Sequence, residues 1–569
     1  MEKKTQKPRN TFIDGLISRM TLEQKIGAVL TLAFTGVIPG QNVYDYITKY
    51  HCGGLRLTPV AKAGATIQYV DPKTGNAATT KTAGHSMAPV CTAADYKATL
   101  DKLRKVAKAR PLGLPLHFSF DQEGSTSSNM YFANSFPYPM GLKATNDPKT
   151  AYLVANAIAE QSRAIGVHWI HSPDVDINSD PRNPEIGVRS YSDKAEEVAQ
   201  YSIEACKGFK DGGLIATAKH FPGRGASIVD AHYEVPTIDV DKETLYAREI
   251  LPYKELIDQD LIPSIMIAHS IYPALDPNDV ATVSKPIITG ILREELGFEG
   301  VITTDSMTMG GISKRYGVAQ ACAMALEAGA DLVLMKAQNH LVEDTIAAIR
   351  SFIEQGRITM EEMDKKIYRI LNLKYEYGLF HDYAQDDVDP QAVIDSSKLT
   401  QLAKDVAKRS TIICRDKDNM LPLQSDERVL VIEQRNNFYN TPKWHSGILY
   451  ENCLNYSSNV TYMEVGFNWS EEEKESIKAA IGSYDKVVIT NYYDRSSLCN
   501  KDALIELLAD TDAKIVVITT NPYEEISIPH NAKNVIVIFG NTPNTAEALA
   551  GILYGKINAE GVWPVEYHA

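Results

Sequence analysis

An apolar, β-branched run near the middle of the chain ends on a carboxylate, in the segment Val301-Ile302-Thr303-Thr304-Asp305. Other runs of the same kind also end on residues that can bind or react. These strand ends carry Asp121 and Glu123; Asp174 and Asp176; Lys219 and His220; and Met266 with His269. Carboxylates, a lysine and imidazoles around one cleft suit recognition of a hydroxyl-rich ligand together with acid/base chemistry. We interpret Asp305 as a catalytic nucleophile and His232 as its proton donor.

The elements that must position these residues alternate between strand and helix over the first two thirds of the chain. Apolar runs predict strands within 26–33 and at 53–57, 116–120, 167–170, 214–218, 265–268, 301–304 and 332–335. Eight such units predict a TIM-like (β/α)8 barrel, in which chemistry occurs at the carboxyl ends of the strands. A doubly wound sheet has the same alternation, but the strand count and the polar strand ends favour the barrel.

A second α/β region follows the barrel. The capping box Thr359-x-x-Glu362 begins a helix, an acidic, turn-rich segment covers 382–390, and new strands are predicted at 429–432, 460–465, 486–490, 515–519 and 535–539. We expect a barrel over 1–356, a helical linker over 357–399 and a flavodoxin-like α/β sandwich domain over 400–569. With no glycine-rich phosphate loop, this last domain is expected to have a structural or dimerising role.

Residues 66–93 interrupt the barrel pattern and are rich in Ala, Thr and Gly. They predict a long loop above the second strand. Two interpretations stay open at this stage: a disordered insertion, or a lid or partner-contact loop.

The composition excludes several classes of function. The 569 residues carry 58 basic and 72 acidic side chains, a net charge of −14, which disfavours nucleic acid and anionic membranes as partners. No signal core follows the N-terminus and no apolar run reaches transmembrane length. Seven scattered cysteines suggest neither a disulfide framework nor a zinc site, so we expect a cytoplasmic protein.

A metal or other cofactor is not expected. His220, His232 and His269 could form a metal site with nearby aspartates, but no H-E-x-x-H or H-x-H pair occurs at the strand ends. Lys219 beside His220 would also repel a cation.

Several longer motifs carry a family resemblance. They are Asp121-Gln122-Glu123-Gly124, Asn183-Pro184-Glu185-Ile186-Gly187-Val188-Arg189-Ser190-Tyr191, the segment from Lys219-His220-Phe221-Pro222-Gly223 to Asp230-Ala231-His232, Ala268-His269-Ser270 and Thr304-Asp305-Ser306-Met307. With these motifs in this order, the chain resembles glycoside hydrolase family 3, in particular its bacterial β-N-acetylglucosaminidase branch. The resemblance covers nearly the whole chain and implies a barrel followed by an α/β sandwich domain.

The resemblance also implies roles for single residues. Asp305 matches the nucleophile that forms a covalent glycosyl-enzyme, and Asp230 and His232 match an Asp-x-His pair whose histidine is the acid/base. Asp121, Arg189, Lys219 and His220 match residues that hold the sugar. Further candidate substrate-binding residues are Arg224, His269, Met266 and Asp176.

The chemistry of the residues agrees with these roles. Most retaining glycosidases use two carboxylates. An imidazole can replace the second one, because its unperturbed pKa of about 6.5 lets it donate a proton near neutral pH and later take it back. In an extended loop Asp230 and His232 project to the same side, so that Asp230 would orient the ring. Their position beyond the fifth strand would let the acid swing in when substrate binds. The alternative for this pair alone is a loop-stabilising hydrogen bond.

The chain departs from the family pattern at several positions around the predicted sugar site. Ser125 replaces a glycine, Asn129 replaces an arginine, Arg224 replaces a histidine, and Asp174 replaces an apolar residue. We hypothesise that these replacements change the contacts within the cleavage subsite and so alter its preference for sugar substituents. A simple Arg224–Asp174 ion pair is the alternative.

Three functions remain possible from the sequence. The first is a retaining, exo-acting β-N-acetylglucosaminidase (a β-N-acetylhexosaminidase) that acts on small glycans or glycosides, as a monomer or homodimer. The second is a related β-glycosidase or a β-N-acetylglucosaminide phosphorylase with altered sugar preference. The third is a non-catalytic sugar-binding protein, which the joint retention of Asp305, Asp230 and His232 disfavours.

Overall fold

A computed structural model describes residues 9–59, 66–70, 77–81, 91–335, 340–381, 388–435, 444–493 and 499–566. Eight parallel strands form a closed barrel in which each strand pairs with its neighbours in the chain and the last pairs with the first. The barrel strands are β1 (Leu30–Thr35), β2 (Gly54–Thr58), β3 (His117–Phe120), β4 (Trp169–Ile170), β5 (Ile215–Phe221), β6 (Ser264–Ile267), β7 (Val301–Ser306) and β8 (Leu332–Met335). The predicted barrel is therefore confirmed.

Helices surround the barrel and connect most of its strands. Their bounds are Thr11–Ile17, Leu22–Ala28, Gln41–Thr48, Ala93–Lys108, Pro139–Ala144, Lys149–Ala164, Ala195–Asp211, Lys242–Thr244, Leu245–Glu249, Leu251–Asp258, Pro286–Glu295, Gly310–Tyr316, Val318–Ala328, His340–Glu354 and Met360–Glu376. Short single turns occur at Pro111–Gly113, Ser125–Ser127, Gly187–Arg189 and Ala281–Val283. None of the helices among the described residues is long and apolar enough to cross a membrane.

The helix Met360–Glu376 belongs to the barrel by its contacts. It begins at the predicted capping box, in which Thr359 and Glu362 each accept the other's backbone N–H. The ammonium group of Lys374 donates to the carbonyl oxygens of Gly53 and Pro115 at 2.7 and 3.0 Å. The first part of the predicted linker therefore packs against the barrel strands, while the linker bounds themselves stay a prediction.

β1 occupies the end of the range predicted for the first strand and extends two residues beyond it. Residues 22–28 form the helix Leu22–Ala28, which starts at a capping box on Thr21 and Gln24, and β1 begins only at Leu30. The helix buries Ile26, Gly27 and Ala28, so that a helix end and a strand together give one continuous apolar run. Periodicity alone does not separate two such short buried segments.

The C-terminal domain is a six-stranded sheet with helices on both sides. Its strands are β9 (Ile412–Asp416), β10 (Val429–Gln434), β11 (Val460–Val465), β12 (Lys486–Asn491), β13 (Ile515–Thr519) and β14 (Asn534–Val537), in the order β9-β14-β13-β12-β10-β11. Its helices are Pro390–Ile394, Ser397–Ser410, Ile448–Cys453, Glu471–Ile481, Lys501–Ala509 and Pro543–Leu553. From β10 onward the spatial order is 2-1-3-4-5, the flavodoxin-like order that the sequence predicted.

The strand β9 was not predicted. It pairs antiparallel with β14 at the edge of the sheet, and only its first residue, Ile412, is buried. The central strands have apolar residues buried on both faces, which is why their sequences are continuous apolar runs. One face also packs on Met140, Ala144 and Val188 of the barrel domain.

Two short antiparallel hairpins lie outside the barrel. One pairs Ile271–Tyr272 with Asp276–Val280. The other pairs Thr66–Val70 with Ala77–Lys81, within the segment predicted as a long loop, and the backbone of Ala77–Lys81 comes within 8 Å of the helix Gly310–Tyr316. Because that helix follows β7, the hairpin lies on the side of the barrel where the strands end. The interpretation of this segment as a lid stays a prediction.

Candidate active site

Asp305 lies near the end of β7, with 14% of its side chain exposed. The backbone N–H of Ser306 donates to Oδ1 at 2.6 Å, which fixes the orientation of the carboxylate. The other oxygen, Oδ2, lies 3.6 Å from Nη2 of Arg224 and 3.9 Å from Nε2 of His220. The predicted nucleophile is therefore partly accessible and lies beside two of the predicted sugar-site residues.

Asp121 follows β3 and accepts from two cations on other barrel strands. Nζ of Lys219 on β5 donates to Oδ1 at 3.0 Å, and Nη2 of Arg56 on β2 forms a short contact with Oδ2. Burial opposes ionisation of Asp121, but these two cations outweigh it and keep the pKa of this carboxyl well below its ordinary value. Asp121 therefore stays ionised at 23% side-chain exposure, as an acceptor for sugar hydroxyl groups requires.

Arg56 is a site residue that our sequence reasoning missed. The signal was present, because it is a cation inside the otherwise apolar strand Gly54–Thr58. Asn129, which stands where the family usually has an arginine, donates instead to the backbone oxygen of Asp121 at 2.8 Å. Arg56 thus supplies a guanidinium to Asp121 from a different strand.

Arg189 joins three segments of the site. Its Nε and Nη2 donate to the two carboxylate oxygens of Glu123 at 2.6 and 3.1 Å, and its Nη1 donates to the backbone oxygen of Glu185 at 3.0 Å. Nη2 also lies 3.1 Å from Oδ2 of Asp174. Although burial opposes it, Arg189 and then Lys219 lower the pKa of Glu123 to about 2. With its nitrogens committed to protein acceptors, Arg189 has little capacity left for a sugar, and its predicted sugar contact stays a prediction.

Lys219 and His220 are adjacent in sequence, yet both reach carboxylates of the site. The pairing of β5 with β6 shifts register between Lys219 and Phe221, and such an irregularity re-aims side chains that would otherwise alternate. Nδ1 of His220 lies 2.7 Å from Oδ2 of Asp176. Burial, together with the positive charge of Arg224, lowers the pKa of His220 well below its ordinary value, so the ring is neutral.

These contacts assign the tautomer of His220. Nη2 of Arg224 can only donate, and it lies 2.8 Å from Nε2, so Nε2 accepts and Nδ1 carries the proton that Asp176 accepts. Asp176 also accepts the backbone N–H of Arg224 at 2.8 Å. Burial raises the pKa of Asp176 to about 6. Asp176 is therefore a fully buried residue that orients His220, and its predicted contact with substrate stays a prediction.

The pair that we considered between Arg224 and Asp174 is not the one that forms. Arg224 pairs through Nη2 with Oε1 of Glu185 at 2.8 Å, and Asp174 pairs with Arg189. The pKa of Asp174 is raised well above its ordinary value by burial and then by the negative charge of Asp176. The two departures from the family pattern therefore have separate partners.

His232 and Asp230 lie on the loop that follows β5. Nδ1 of His232 is 2.8 Å from Oδ1 of Asp230, which also accepts the backbone N–H of His232 at 2.8 Å. The backbone oxygen of His232 accepts from Gly310 at 3.1 Å, and that of Ala231 accepts from Gly311 at 3.3 Å. The loop is thus docked on the helix that follows Asp305. Because Nδ1 is committed to a carboxylate, exchange of a proton with a substrate oxygen falls to Nε2.

Met266 on β6 and His269 just after the end of that strand are both buried. His269 is fully buried, with Nδ1 2.7 Å from the hydroxyl of Thr282 and Nε2 3.1 Å from the backbone oxygen of Ser306. Burial lowers its pKa to about 4, so the ring is neutral and its Nε2–H supports the end of β7. Met266 is buried on β6, in register between Lys219 and Thr303. For both residues direct contact with substrate stays a prediction, and the geometry of His269 favours positioning.

Two groups of side chains in the described part of the chain are close enough to hold a metal ion. They are Asp174, Asp176 and His220, and Glu185, Asp230 and His232. Both groups lie against buried guanidinium groups, which compete with a cation for the same carboxylates. The expectation that no metal is used stays a prediction.

Comparison with known proteins places the site in context. Residues 21–373 match the family model described as Glycosyl hydrolase family 3 N terminal domain. Beta-hexosaminidase A of Pseudoalteromonas piscicida is 34% identical over 295 residues, which are 48% of this chain and 49% of that protein. The beta-N-acetylglucosaminidase/beta-glucosidase of Cellulomonas fimi is 27% identical over 508 residues, 85% of this chain and 88% of that protein.

One similar solved structure is that of a glycoside hydrolase family 3 beta-N-acetylglucosaminidase from Paenibacillus sp. str. FPU-7. It superposes with a TM-score of 0.84 at 29% identity and covers 96% of this chain and 99% of that one. The alignment with the relative from Pseudoalteromonas piscicida thus covers about half the length of that protein. The alignment with the Paenibacillus structure covers nearly all of that structure. These matches confirm the resemblance seen in the motifs.

Proposed function

The chain belongs to glycosyl hydrolase family 3, and on that premise we propose that it is a retaining, exo-acting β-N-acetylglucosaminidase. It would release terminal β-linked N-acetylglucosamine from small glycans or glycosides. The observation that carries the proposal is the placement of Asp305 beside a loop on which His232 is backed by Asp230, with that loop bonded to the helix that follows Asp305.

The two groups divide the chemistry between them. In the first step an oxygen of Asp305 attacks the anomeric carbon, the bond to the leaving oxygen breaks, and Nε2–H of His232 protonates that oxygen. In the second step the neutral imidazole takes a proton from water, the water oxygen attacks the anomeric carbon, and Asp305 leaves as a carboxylate. Two displacements at one carbon retain its configuration.

The remaining residues of the site suit the binding of a neutral sugar. Asp121 is an ionised acceptor with part of its side chain exposed, and Lys219 donates to it. His220 is fixed as a neutral ring by Asp176 and Arg224. Sugar hydroxyl groups both donate and accept hydrogen bonds, so they can bind to paired charged side chains that leave some oxygen atoms exposed.

The names of the similar proteins give further support. The relative from Pseudoalteromonas piscicida is named a beta-hexosaminidase, and the similar structure from Paenibacillus is named a beta-N-acetylglucosaminidase. The relative from Cellulomonas fimi is named for glucosidase activity as well. For this chain the N-acetyl sugar is therefore the first substrate to test and the glucoside the second.

A phosphorylase is the second candidate, and Arg224 is the observation that favours it. Its guanidinium lies 3.6 Å from Asp305, next to the carbon at which an incoming nucleophile would attack. A histidine acid/base would also repel an incoming phosphate less than a carboxylate would. Against this, the charge of Arg224 is already balanced by Glu185.

One substrate panel tests both candidates. Rates are compared on nitrophenyl β-N-acetylglucosaminide, β-glucoside and β-N-acetylgalactosaminide, with and without phosphate, and the products are identified by NMR. We expect the N-acetylglucosaminide to be hydrolysed fastest, with release of the β-anomer and no dependence on phosphate. Release of a sugar 1-phosphate would instead establish the phosphorylase.

The nucleophile is tested with Asp305→Ala, for which we expect near-abolition of turnover of all three glycosides. Retained turnover by this variant would refute the assignment. Binding of N-acetylglucosamine to the variant, measured by calorimetry, is the control that the site remains folded.

A further inference from the structure

Glu185 contacts both the predicted acid/base and the arginine next to the nucleophile. Its Oε1 lies 3.2 Å from Nδ1 of His232 and 2.8 Å from Nη2 of Arg224. Its Oε2 accepts the backbone N–H of Ala231 at 3.3 Å. A single carboxylate therefore bonds to the loop that carries the acid and to the cation beside Asp305.

The position of Glu185 is fixed by the loop that follows β4. Oδ1 of Asn183 accepts the backbone N–H of Glu185 at 2.9 Å, while Nδ2 of Asn183 donates to the backbone oxygens of Arg224 and Gly225 at 3.1 and 3.0 Å. One amide side chain thus sets the distance between the two charged residues. This placement does not depend on a mobile surface side chain, because Glu185 and Arg224 are only 3% and 2% exposed.

The charges explain why two carboxylates can share one imidazole nitrogen. Nδ1 has one proton, and the shorter distance of 2.8 Å assigns it to Asp230. Glu185 at 3.2 Å adds electrostatic stabilisation of the imidazolium rather than a second full hydrogen bond. The positive charge of Arg224 compensates the negative charge of Glu185 in this buried site. Burial opposes the charge of Arg224, but Glu185 and then Asp305 raise the pKa of Arg224 above its ordinary value.

We infer that Glu185 is a positioning residue for the acid/base. Together with Arg224 it holds the ring of His232 at a fixed distance from Asp305 and stabilises the imidazolium that donates the proton. This inference rests on the proposed function, because it assumes that His232 protonates a leaving oxygen. Glu185 itself does not contact the reacting atoms.

Rates on two leaving groups separate this role from a merely structural one. A residue that acts on the proton donor matters for an alkyl N-acetylglucosaminide, whose leaving oxygen needs protonation, and matters little for the dinitrophenyl glycoside. A residue that only holds the fold together affects both substrates alike. The ratio of the two kcat/KM values is therefore the diagnostic quantity.

The test compares the parent enzyme with Glu185→Gln, His232→Ala and the double variant. Glu185→Gln keeps the shape of the side chain and removes the charge. We expect it to lower kcat/KM on the alkyl glycoside on the order of 10-fold, a part of what a general acid supplies, with kcat/KM on the dinitrophenyl glycoside nearly unchanged. In the His232→Ala background the same substitution should have no further effect, because its target is gone.

The charge-balanced variant Glu185→Gln/Arg224→Gln guards against a folding defect, since the single substitution leaves a buried cation without its partner. The ratio of the two kcat/KM values is read for Glu185→Gln against the parent, and for the charge-balanced variant against Arg224→Gln, because Arg224 itself lies beside Asp305. Equal losses on both substrates, or losses that multiply with His232→Ala, would overturn the inference. If the parent enzyme hydrolyses neither glycoside, the proposed function has failed instead, so the two failures are distinct.

Discussion

Substitution of Gly310 by alanine should push the loop that carries His232, the proposed acid/base, away from Asp305, the proposed nucleophile. Gly310 is the first residue of the helix Gly310–Tyr316, and its backbone N–H donates to the oxygen of His232. A Cβ atom at this position would lie 2.9 Å from that oxygen and 3.0 Å from the oxygen of Tyr233. Both are backbone atoms, so the contact cannot be relieved by rotation of a side chain.

The size of the effect follows from these distances. Ordinary contacts of a Cβ begin at 3.4 Å, so the loop must move by about 0.5 Å from its present 2.9 Å. A displacement of 1 Å at a reacting group costs on the order of 100-fold in rate, which gives roughly 10-fold for half that distance. The loss should be confined to substrates that need the proton of His232.

The assay is kcat/KM for an alkyl and a dinitrophenyl β-N-acetylglucosaminide. The matched control is Gly290→Ala, in the helix Pro286–Glu295 of the same barrel, where a Cβ would meet nothing within 4 Å. The control should leave both rates unchanged and should stabilise the helix slightly. Full activity of Gly310→Ala on the alkyl glycoside, or an equal loss on both substrates, would refute the argument that loop docking positions the acid.

Two further predictions address the acid itself and the second domain. His232→Ala should lower kcat/KM on alkyl glycosides by roughly 10²–10⁴-fold and much less on dinitrophenyl glycosides; a uniform loss would contradict the assignment. Burial raises the pKa of Glu433 to about 8 from 4.5, so the stability that its proton contributes is fully present below pH 4.5 and lost as the pH rises through 8. Glu433→Gln should therefore match the parent in melting temperature at pH 4.5 and exceed it at pH 9, as calorimetry across this range would measure; a constant difference would contradict the prediction.

The barrel could be predicted because its strands are buried on both faces. Such strands are short apolar runs, and a polar residue at the end of a run marks the rim where the site lies. The strand β9 escaped prediction for the opposite reason: it lies at a sheet edge with mostly half-exposed residues. The boundary between the helix Leu22–Ala28 and β1 also escaped, because both segments are apolar.

The sequence predicted which residues belong to the candidate site better than it predicted which of them contact one another. The residues that match family motifs could be named from the sequence, but their partners come from other strands. Arg56 meets Asp121 across 65 residues of chain, and Glu185 meets His232 through a loop whose path no local pattern reveals. Such pairs are set by the closure of the barrel, which a single sequence does not display.

Two of the residues that depart from the family pattern, Arg224 and Asp174, each lie next to a side chain of opposite charge type. Arg224 brings a cation next to Asp305, and the carboxylate of Glu185 balances its charge. Asp174 brings a buried carboxyl group into the site, and Arg189 lies beside it. Breaking a buried pair costs on the order of 3–5 kcal/mol, because it leaves an uncompensated charge. The arrangement therefore keeps the site close to electrically balanced while changing what lies beside Asp305, and this links the altered sequence to the way in which His232 is held.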